Sequence, residues 1–523
     1  MNLKLRASGQ TGHHAIVHTG RRRGSSPGLT RATRLRARYG TLCTEQNVLL
    51  SSTHTHAGPA GYSHYAAYNL SSYGFNAATF GAMSWFGTHG TSLTNGNRLI
   101  SGDNKGYAAY LWEHSAPAPG FVAAFMQASS ADISPNLNLR PGSGPTENPV
   151  ENTRIIGQRQ AEAAVNIHSG STSTLTGGVG YRHTFADMSA VTVSPAYTGD
   201  GQPHTTCPAA IGVSMLAGST EDGPGIPLLP EGVRNPFVDA LGGLGLPVPG
   251  SLAACQAPKP VAVPVGLMQP VPWTPEVLPL QLLWIGDLYI AGVPAEVTIV
   301  SGYRLRRTIA ASLGVPAGNV IIAGFANAYS QYLATPEEYE AQQYEGASTL
   351  FSKWTLPAYQ QEFARLGSAM RAGQAVPAGP APRDLRNNQL SFQTGVVFDD
   401  VPLGRWFGDV ETQPRAQYAA GQTARAVFWT GHPKNNLRRG GTFLEVQRLT
   451  GGTWTRVAGD KDWSTVYRWA HSGIAYSTAT VEWSIPAGTP AGTYRIVHHG
   501  DWKSGWAGKV SPLTGTSRTF TVT

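Results

Sequence analysis

Charged residues are scarce in this 523-residue chain, at 13% of the sequence, and there are only three cysteines. No two cysteines have the CxxC spacing, which argues against a zinc site built from thiolates. No run of about 18 or more apolar residues is present, so we expect no membrane-spanning helix. Acidic residues are missing altogether from residues 1–40, which contain nine Lys and Arg.

The net charge of +8 therefore comes from one basic N-terminal arm, and the rest of the chain is close to neutral. The arm has no interleaved aromatic residues and no nucleic-acid fold signature, so we expect no nucleic-acid partner. It has no long apolar core of the kind that defines a secretory signal, and no signal peptide is visible in the chain. We interpret residues 1–33 as a basic leader without regular structure.

Apolar residues make up 41% of the chain, and glycine (62) and proline (37) are abundant. This composition is typical of a globular protein with a large core and many turns, and the length predicts two to four domains.

Short β-prone runs alternate with a helical pattern in the first two thirds of the chain. Residues 47–53 and 121–130 are predicted strands, and residues 280–296 predict two strands around a Gly-Asp turn. A helix is predicted over 297–314, followed by a strand in 319–329. This alternation predicts an α/β domain with a mixed sheet, which we place at residues 34–385.

The pattern changes after a Pro- and Ala-rich linker at residues 372–384. Short alternating strands separated by turns follow it, which is typical of a β-sandwich of the immunoglobulin-like type. We therefore predict a second, C-terminal domain over residues 386–523.

Three histidines lie close together at the end of the first predicted strand, at His54, His56 and His64. Residues two apart in a strand face the same side, about 7 Å apart. One zinc ion could take one member of the His54/His56 pair and leave the other to handle protons. Loop histidines held by ordinary hydrogen bonds are an equally good interpretation, and we interpret His64 as structural.

Other candidates follow further strands, and each also has an ordinary structural interpretation. His89 ends an apolar run, and Ser134 lies in a turn restrained by proline. Glu296 precedes a predicted helix, where a carboxylate also favours the helix dipole. Tyr332 and Tyr344 could equally be packing aromatics.

These candidates gain meaning together, because the sequence closely resembles the neutral ceramidase family from about residue 34 to the C-terminus. The segments that carry the resemblance are "RLRARYGTLCTEQNVLLSSTHTHAGPAGYSHY", "ISGDNKGYAAYLWEH", "ADISPNLNLRPGSGP", "GSTEDGPG", "PAEVTIVSGYRLRR", "ANAYSQYLATPEEYEAQQYEGASTLF" and "TGHPKNNLR". The resemblance implies a zinc-dependent amidase that cuts the N-acyl bond of ceramide to sphingosine and a fatty acid. The substrate would come from a membrane or micelle surface.

The resemblance also implies roles for individual residues. The implied zinc ligands are His54, His89, Glu296 and Tyr332, with His56 as the neighbouring proton-handling residue. Ser134 takes the nucleophile position, and Tyr344 a position that contacts the reacting carbonyl. Whether Ser134 forms a covalent intermediate or only positions groups is left open. A second site at Asp460, Asp462 and Thr465 would hold Mg²⁺ or Ca²⁺, which prefer oxygen ligands.

The chain departs from the family pattern in two places. Residues 1–33 do not resemble the family's N-terminus, and residues 73–80 run directly into 81–90, where the family has many tens of residues. Losing strands exposes sheet edges and core. The free-energy cost of that exposure can exceed the 5–15 kcal/mol of stability typical of a domain. We expect the ligands to cluster and the activity to be reduced or absent.

Two alternatives to a zinc ceramidase remain open. One is an impaired homologue that only binds lipid, and the other is a zinc amidase acting on different N-acyl amines. The resemblance implies a secreted or cell-surface protein. A bridge between Cys207 and Cys255 would suit an oxidising compartment, and the sequence leaves its formation undecided.

Overall fold

The computed structural model describes residues 81–116, 121–170, 175–226, 247–386, 394–438 and 441–523. It also gives the backbone of three N-terminal strands, Asn2–Lys4, Ala15–His18 and Val48–Ser51. The predicted site residues His54 and His56, and also His64, lie outside the described residues. The chain divides into two compact units, residues 1–390 and 391–523.

Helices of the described residues lie in the first unit. Their bounds are Asp103–Ser115, Pro149–Gly170, Pro195–Thr198, Val213–Ala217, Gly250–Gln256, Ile299–Leu313, Pro336–Ala341, Tyr344–Ser348 and Thr355–Arg371. Short 3-10 turns lie at Ala317–Asn319 and, in the second unit, at Pro433–Asn435. No helix in the described part of the chain is both long and apolar enough to cross a membrane.

The central sheet of the first unit is mixed, which confirms the predicted α/β class. Its strand order is Val320–Ala323, Leu288–Gly292, Val277–Ile285, Val179–Asp187. The first two strands pair parallel and are joined by the predicted helix, Ile299–Leu313, while the other neighbours pair antiparallel. The predicted hairpin is confirmed and turns at Gly286, whose φ of +60° suits a residue without a Cβ.

The central sheet is buried on both faces. Leu280 and Leu282 pack into one core cluster with Ile309 and Phe363 of the helices Ile299–Leu313 and Thr355–Arg371. Leu283 points into a second cluster with Met83, which belongs to a neighbouring three-stranded sheet. Fully burying one such side chain stabilises the fold by about 1.5–3 kcal/mol, so this doubly covered sheet is a rigid support for the loops at its ends.

The three-stranded sheet consists of Asn2–Lys4, Gly81–Trp85 and Val122–Met126, and the last of these confirms a predicted strand. Ala15–His18 pairs parallel with Val48–Ser51. Two short strands thus lie in the leader that we expected to lack regular structure, and the β-branched pair in "AIVH" suits a strand. The remaining leader residues lie outside the described part of the chain.

Two-residue and three-residue strands form the remaining pairs of the first unit. The pairs are Thr192–Val193 with His204–Thr205, Ile211–Gly212 with Val261–Val263, Gly218–Ser219 with Gly223–Pro224, and Glu296–Val297 with Tyr332–Leu333. The sequence left open whether a bridge forms between Cys207 and Cys255. In the structure they form a disulfide, with Cα atoms 5.9 Å apart.

The second unit consists of two sheets. One has the order Val410–Thr412, Thr423–Thr430, Tyr476–Ser484, Thr465–Ser472, and all its pairs are antiparallel. The other has the order Gln417–Tyr418, Phe520–Val522, Gly492–Lys503, Leu444–Thr450, Thr453–Gly459, with Val510–Thr516 also paired to Gly492–Lys503. Only the pair of Gln417–Tyr418 with Phe520–Val522 is parallel among these.

Side chains from both sheets of the second unit share one core. Phe428 and Trp483 of the first sheet pack with Val446, Tyr494 and Phe520 of the second. The alternating burial along Tyr476–Ser484 shows the inward and outward faces expected of a half-buried strand. The predicted β-sandwich is confirmed, whereas its assignment to the immunoglobulin-like type stays a prediction.

Candidate active site

His89 lies in an irregular segment that follows the strand Gly81–Trp85. Its backbone N–H donates to the carbonyl of Ile133 at 2.9 Å, and its Nδ1 lies 3.0 Å from the same oxygen. Gly87 lets this segment approach closely, because a Cβ there would meet the carbonyl oxygen of Ser129 at 2.1 Å. The segment is therefore fixed beside the loop that contains Ser134.

Glu296 and Tyr332 are brought together by strand register. The short strands Glu296–Val297 and Tyr332–Leu333 pair parallel, with Glu296 opposite Tyr332. The backbone N–H of Glu296 also donates to the carbonyl of Gln331 at 2.8 Å. Neighbouring residues on paired strands present their side chains to the same face, so a carboxylate and a phenol lie side by side.

The three side chains converge on one point inside the first unit. His89 Nε2 lies 3.2 Å from Glu296 Oε2 and 3.2 Å from Tyr332 Oη, although the residues are 207 and 243 positions apart. All three are buried, and Glu296 is 0% exposed. The other carboxylate oxygen of Glu296 accepts a hydrogen bond from Tyr329, a residue that the sequence reasoning missed.

Electrostatics at this cluster favour a positive charge on or beside the imidazole. Burial by itself lowers the pKa of His89, but the hydrogen bond and charge of Glu296, with a contribution from Asp222, raise it to about 9. Two oxygens, Oε2 of Glu296 and Oη of Tyr332, would stabilise either a proton on Nε2 of His89 or a divalent cation in its place.

The cluster fits a zinc ion by its chemistry. Imidazole nitrogen and carboxylate oxygen are ordinary zinc ligands, and the Nδ1 contact with a backbone carbonyl orients the ring as in zinc proteins. The described residues contain no group of three or more His, Cys, Asp or Glu placed to hold a metal, since Tyr332 is the third member here. The predicted fourth ligand, His54, lies outside them, so the zinc site stays a prediction.

A buried polar network holds the His89 segment in place. Asn104 Nδ2 donates to the carbonyl of His89 at 2.9 Å, and Asp103 accepts from the backbone of Ser92 and Leu93. Lys105 Nζ donates to the carbonyl of Phe86 at 2.8 Å. Burial raises the pKa of Asp103 to about 6 and lowers that of Lys105 to about 7. These residues stand at the start of the helix Asp103–Ser115, and the sequence reasoning assigned them no role.

Ser134 is held by two hydrogen bonds. Its hydroxyl donates to Asp222 Oδ1 at 2.6 Å and accepts from the backbone N–H of Asn136 at 3.0 Å. Asp222 was missed as a functional candidate, although its segment "GSTEDGPG" carries part of the resemblance. Nothing in the spacing of residues 88 positions apart indicates that they meet.

Tyr344 opens the helix Tyr344–Ser348 and lies beside the cluster. Its ring stands edge-on to that of Tyr332, with centroids 5.4 Å apart. The structure thus brings His89, Glu296, Tyr332 and Tyr344 together, and the hydroxyl of Ser134 is tied to Asp222, whose charge acts on His89.

The second predicted metal site lies in a tight turn of the second unit. Asp460 Oδ2 accepts the backbone N–H of Phe443 at 2.8 Å, and Asp462 Oδ2 accepts that of Gly459 at 2.7 Å. Thr465 Oγ1 lies 2.7 Å from the carbonyl oxygen of Gly459 and 3.0 Å from that of Asp462. These bonds hold the turn itself, and cation binding there stays a prediction.

One known protein family matches almost the whole length of the chain. The N-terminal model of the neutral/alkaline non-lysosomal ceramidases matches residues 30–83 and 76–361, and the C-terminal model matches residues 363–522. The chain belongs to this ceramidase family. The resemblance identified from the sequence is confirmed, and with it the assignment of the chain as a ceramidase-type enzyme.

Relatives of this ceramidase cover most of its length. The neutral ceramidase of Pseudomonas aeruginosa is 44% identical over 94% of this chain and 84% of its own length. That of Mycobacterium tuberculosis is 38% identical over 94% and 88%. Among solved structures, "Ceramidase complexed with C2" matches with a TM-score of 0.88 and 42% identity, covering 97% of this chain and 91% of the other. The crystal structure of the P. aeruginosa enzyme matches with a TM-score of 0.86 and 40% identity, covering 97% and 90%.

The internal departure from the family pattern is visible in these matches. The N-terminal family model matches in two pieces that overlap at residues 76–83, around the predicted break between Phe80 and Gly81. The alignment with the P. aeruginosa enzyme extends over 568 positions, more than the 523 residues of this chain. Relatives therefore contain residues that have no counterpart here.

Proposed function

We propose that this ceramidase hydrolyses the N-acyl amide bond of ceramide with the help of a zinc ion, releasing sphingosine and a fatty acid. The observation that carries the proposal is the convergence of His89 with Glu296 and Tyr332, which lie more than 200 positions further along the chain, on one buried point. Family membership supports the substrate, and the chemistry of the three side chains supports the metal.

His89, Glu296 and Tyr332 would hold the zinc ion together with His54. Zinc in such a site supplies Lewis acidity, which polarises an amide carbonyl or lowers the pKa of a water. Glu296 is held in turn by Tyr329, and His89 by the carbonyl of Ile133, so neither ligand has to reorganise when a cation binds.

Ser134, His56 and Tyr344 complete the proposed machinery. Ser134 presents a hydroxyl whose hydrogen is directed to Asp222, and Tyr344 lies beside Tyr332 where it can contact the reacting carbonyl. We assign to His56 the transfer of a proton from water to the leaving amine, since the hydrogen of Ser134 is directed to Asp222.

A ceramidase homologue that binds lipid without turning it over is the second candidate. The observations in its favour are the break of the family match at residues 76–83 and an alignment to the P. aeruginosa enzyme that is longer than this chain. A zinc amidase acting on other N-acyl amines is the third, and the same assay separates it from the first.

The decisive experiment measures fatty-acid release from labelled ceramide by the purified chain, after chelation and again after zinc is restored. We expect activity that a chelator abolishes and zinc restores, at a level below that of an intact relative. A short N-acyl amine assayed in parallel should be cleaved more slowly than ceramide.

Three outcomes would contradict the proposal. Zinc-loaded, folded protein without any ceramide hydrolysis would favour the lipid-binding candidate. Unchanged hydrolysis after complete removal of zinc would exclude the metal role. Faster cleavage of the short amine would favour the general amidase.

We further propose that the protein acts outside the cytoplasm, at a membrane or micelle surface that presents ceramide. The disulfide between Cys207 and Cys255 supports this location, because such bonds persist in oxidising compartments. Fractionating the producing cells and assaying each fraction would test it, and recovery only from the cytoplasm would contradict it.

A further inference from the structure

Asp222 lies where three loops of the first unit meet. Its Oδ1 accepts hydrogen bonds from Thr91 Oγ1 at 2.8 Å, Ser134 Oγ at 2.6 Å and Asn136 Nδ2 at 2.9 Å. Thr91 belongs to the segment that contains His89, and the other two belong to the Ser134 loop. We call Thr91, Ser134, Asn136 and Asp222 the Asp222 junction.

Asn136 is buried in the junction and makes further hydrogen bonds to both neighbouring loops. It is 2% exposed, and its Nδ2 also donates to the carbonyl of Glu221 at 2.9 Å, while its Oδ1 accepts from the backbone N–H of Gly142 at 3.1 Å. The backbone N–H of Asp222 donates to Ser219 Oγ at 3.0 Å, which fixes the loop on its own side. The carboxylate of Asp222 is therefore presented in one orientation.

The orientation of the Ser134 hydroxyl follows from these contacts. A serine hydroxyl has one hydrogen and two acceptor positions. The hydrogen is directed to Asp222, and one acceptor position is used by the backbone N–H of Asn136. Among the described residues no further partner contacts this hydroxyl, so its remaining lone pair has a defined direction for a substrate carbonyl.

We propose that Asp222 is a positioning residue for Ser134: it fixes the hydroxyl in a single rotamer and ties the Ser134 loop to the segment that contains His89. The inference rests on the proposed function, because it assigns Ser134 a part in ceramide hydrolysis. Asp222 acts through Ser134 and does not itself need to contact the substrate.

The test is a set of variants of the full-length, zinc-loaded chain: Asp222→Ala, Asp222→Asn, Ser134→Ala and the Ser134→Ala/Asp222→Ala double variant. Hydrogen bonds to charged groups are worth enough to expect a fall in kcat of about 10- to 100-fold for Asp222→Ala. KM should stay within about twofold and zinc per chain should not change. Asp222→Asn keeps an acceptor oxygen, so it should recover most of kcat.

The double variant distinguishes positioning from an independent role. If Asp222 acts through Ser134, the second substitution costs less than about twofold once Ser134 is already alanine. A matched control is Asp187→Ala, which removes a 2.6 Å bond from Ser189 Oγ of the same serine–aspartate type. That variant should have the wild-type kcat.

Several results would overturn the inference. The first is a wild-type kcat for Asp222→Ala. The second is an equal fall in kcat caused by Asp222→Ala whether residue 134 is serine or alanine. The third is loss of zinc from both Asp222 variants. A wild-type chain inactive on ceramide would instead contradict the proposed function. The coupling between Ser134 and Asp222 would then be measured from the urea midpoints of the wild-type chain, the Ser134→Ala and Asp222→Ala variants and the double variant. Additive shifts of the two single substitutions would still overturn the inference.

Discussion

The two units of the molecule each contain a predicted metal site, and the two sites differ in how their side chains are used. In the first unit, His89 lies more than 200 positions along the chain from both Glu296 and Tyr332, and the three side chains meet inside the fold. In the second unit, Asp460, Asp462 and Thr465 come from a single turn, and their side chains bond to the backbone of that turn or of a neighbouring strand.

This difference teaches how far a cluster of ligand-type residues indicates a ligand. A turn rich in Asp and Thr has a sufficient structural explanation, because these side chains cap backbone N–H groups and carbonyls. Burying a carboxylate, an imidazole and a phenol together is costly unless something compensates their charge. The first site therefore indicates function much more strongly than the second.

The largest expected effect is at the first site. Glu296→Gln should lower ceramide hydrolysis by about 1,000-fold, about 4 kcal/mol in activation free energy, because the cluster loses its negative charge. Zinc per purified chain should fall with it, measured by atomic emission. Glu276→Gln is the matched control, since that carboxylate accepts from the backbone of Ala209. Equal losses in both variants would contradict the special role of Glu296.

Removing the disulfide should destabilise the first unit and leave the stability of the second unit unchanged. Replacing Cys207 and Cys255 with alanine opens a loop with a sequence separation of 48 residues. We expect the free energy of unfolding of the first unit to fall by about 2–4 kcal/mol. Hydrogen exchange read peptide by peptide should quicken there and stay unchanged in residues 441–523. Added reductant should cause no further change in this variant, and quickened exchange in both units would contradict the prediction.

Each unit contains a buried histidine that acid should protonate at a cost in stability, while in the first unit the raised pKa of Asp103 acts in the opposite direction. Burial lowers the pKa of His183 in the first unit and of His498 in the second to about 4. Between pH 6.5 and 4 the unfolded chain binds a proton at each site that the folded chain does not, so stability is lost as the pH falls through this window. For His498 the loss at pH 4 approaches about 3 kcal/mol.

His498→Gln should flatten this pH dependence in the second unit alone. The wild-type ring is held between Thr430 and the carbonyl of Phe443, contacts that an amide can replace in part. Peptide-level hydrogen exchange at pH 4 to 7 measures the effect, and His183→Gln is the reciprocal control for the first unit. An unchanged slope in the second unit would show that His498 is not the titrating group.

The smallest expected effect concerns the turn of the second unit. If Asp460 and Asp462 bind Mg²⁺ or Ca²⁺, as the resemblance implies, millimolar cation should stabilise that unit by about 1 kcal/mol through mass action. Asp460→Ala should remove the cation-dependent part, measured as the shift in melting temperature between chelator and cation. A shift of equal size in this variant would exclude binding at the turn.

Local patterns predicted much of the architecture. The hairpin Val277–Ile285 and Leu288–Gly292, the helix Ile299–Leu313 and the strand Val320–Ala323 were all predicted from apolar periodicity and turn residues. The sandwich of the second unit followed from its alternating strands. Such features depend on neighbours close in sequence, and for that reason they can be inferred without the fold.

The candidate site was predictable only where residue type and family resemblance pointed to it. Tyr329, Asn104 and Asp222 were missed because each acts through a non-local partner, 15 to 88 positions away: Glu296, His89 and Ser134 respectively. A lone tyrosine, asparagine or aspartate has too many ordinary roles for its spacing to indicate one. The disulfide was undecided for the same reason, since only the fold brings Cys207 and Cys255 to bonding distance.

By itself, the sequence determined the fold class and the membership of the ceramidase family. Those properties are written in periodicity, composition and long matching segments. The tertiary structure alone decided that Glu296 lies opposite Tyr332, that His89 reaches both, and that the hydroxyl of Ser134 is directed to Asp222. Strand register and loop packing fix side-chain positions to within an ångström, and both are set by long-range contacts that no local stretch of sequence encodes.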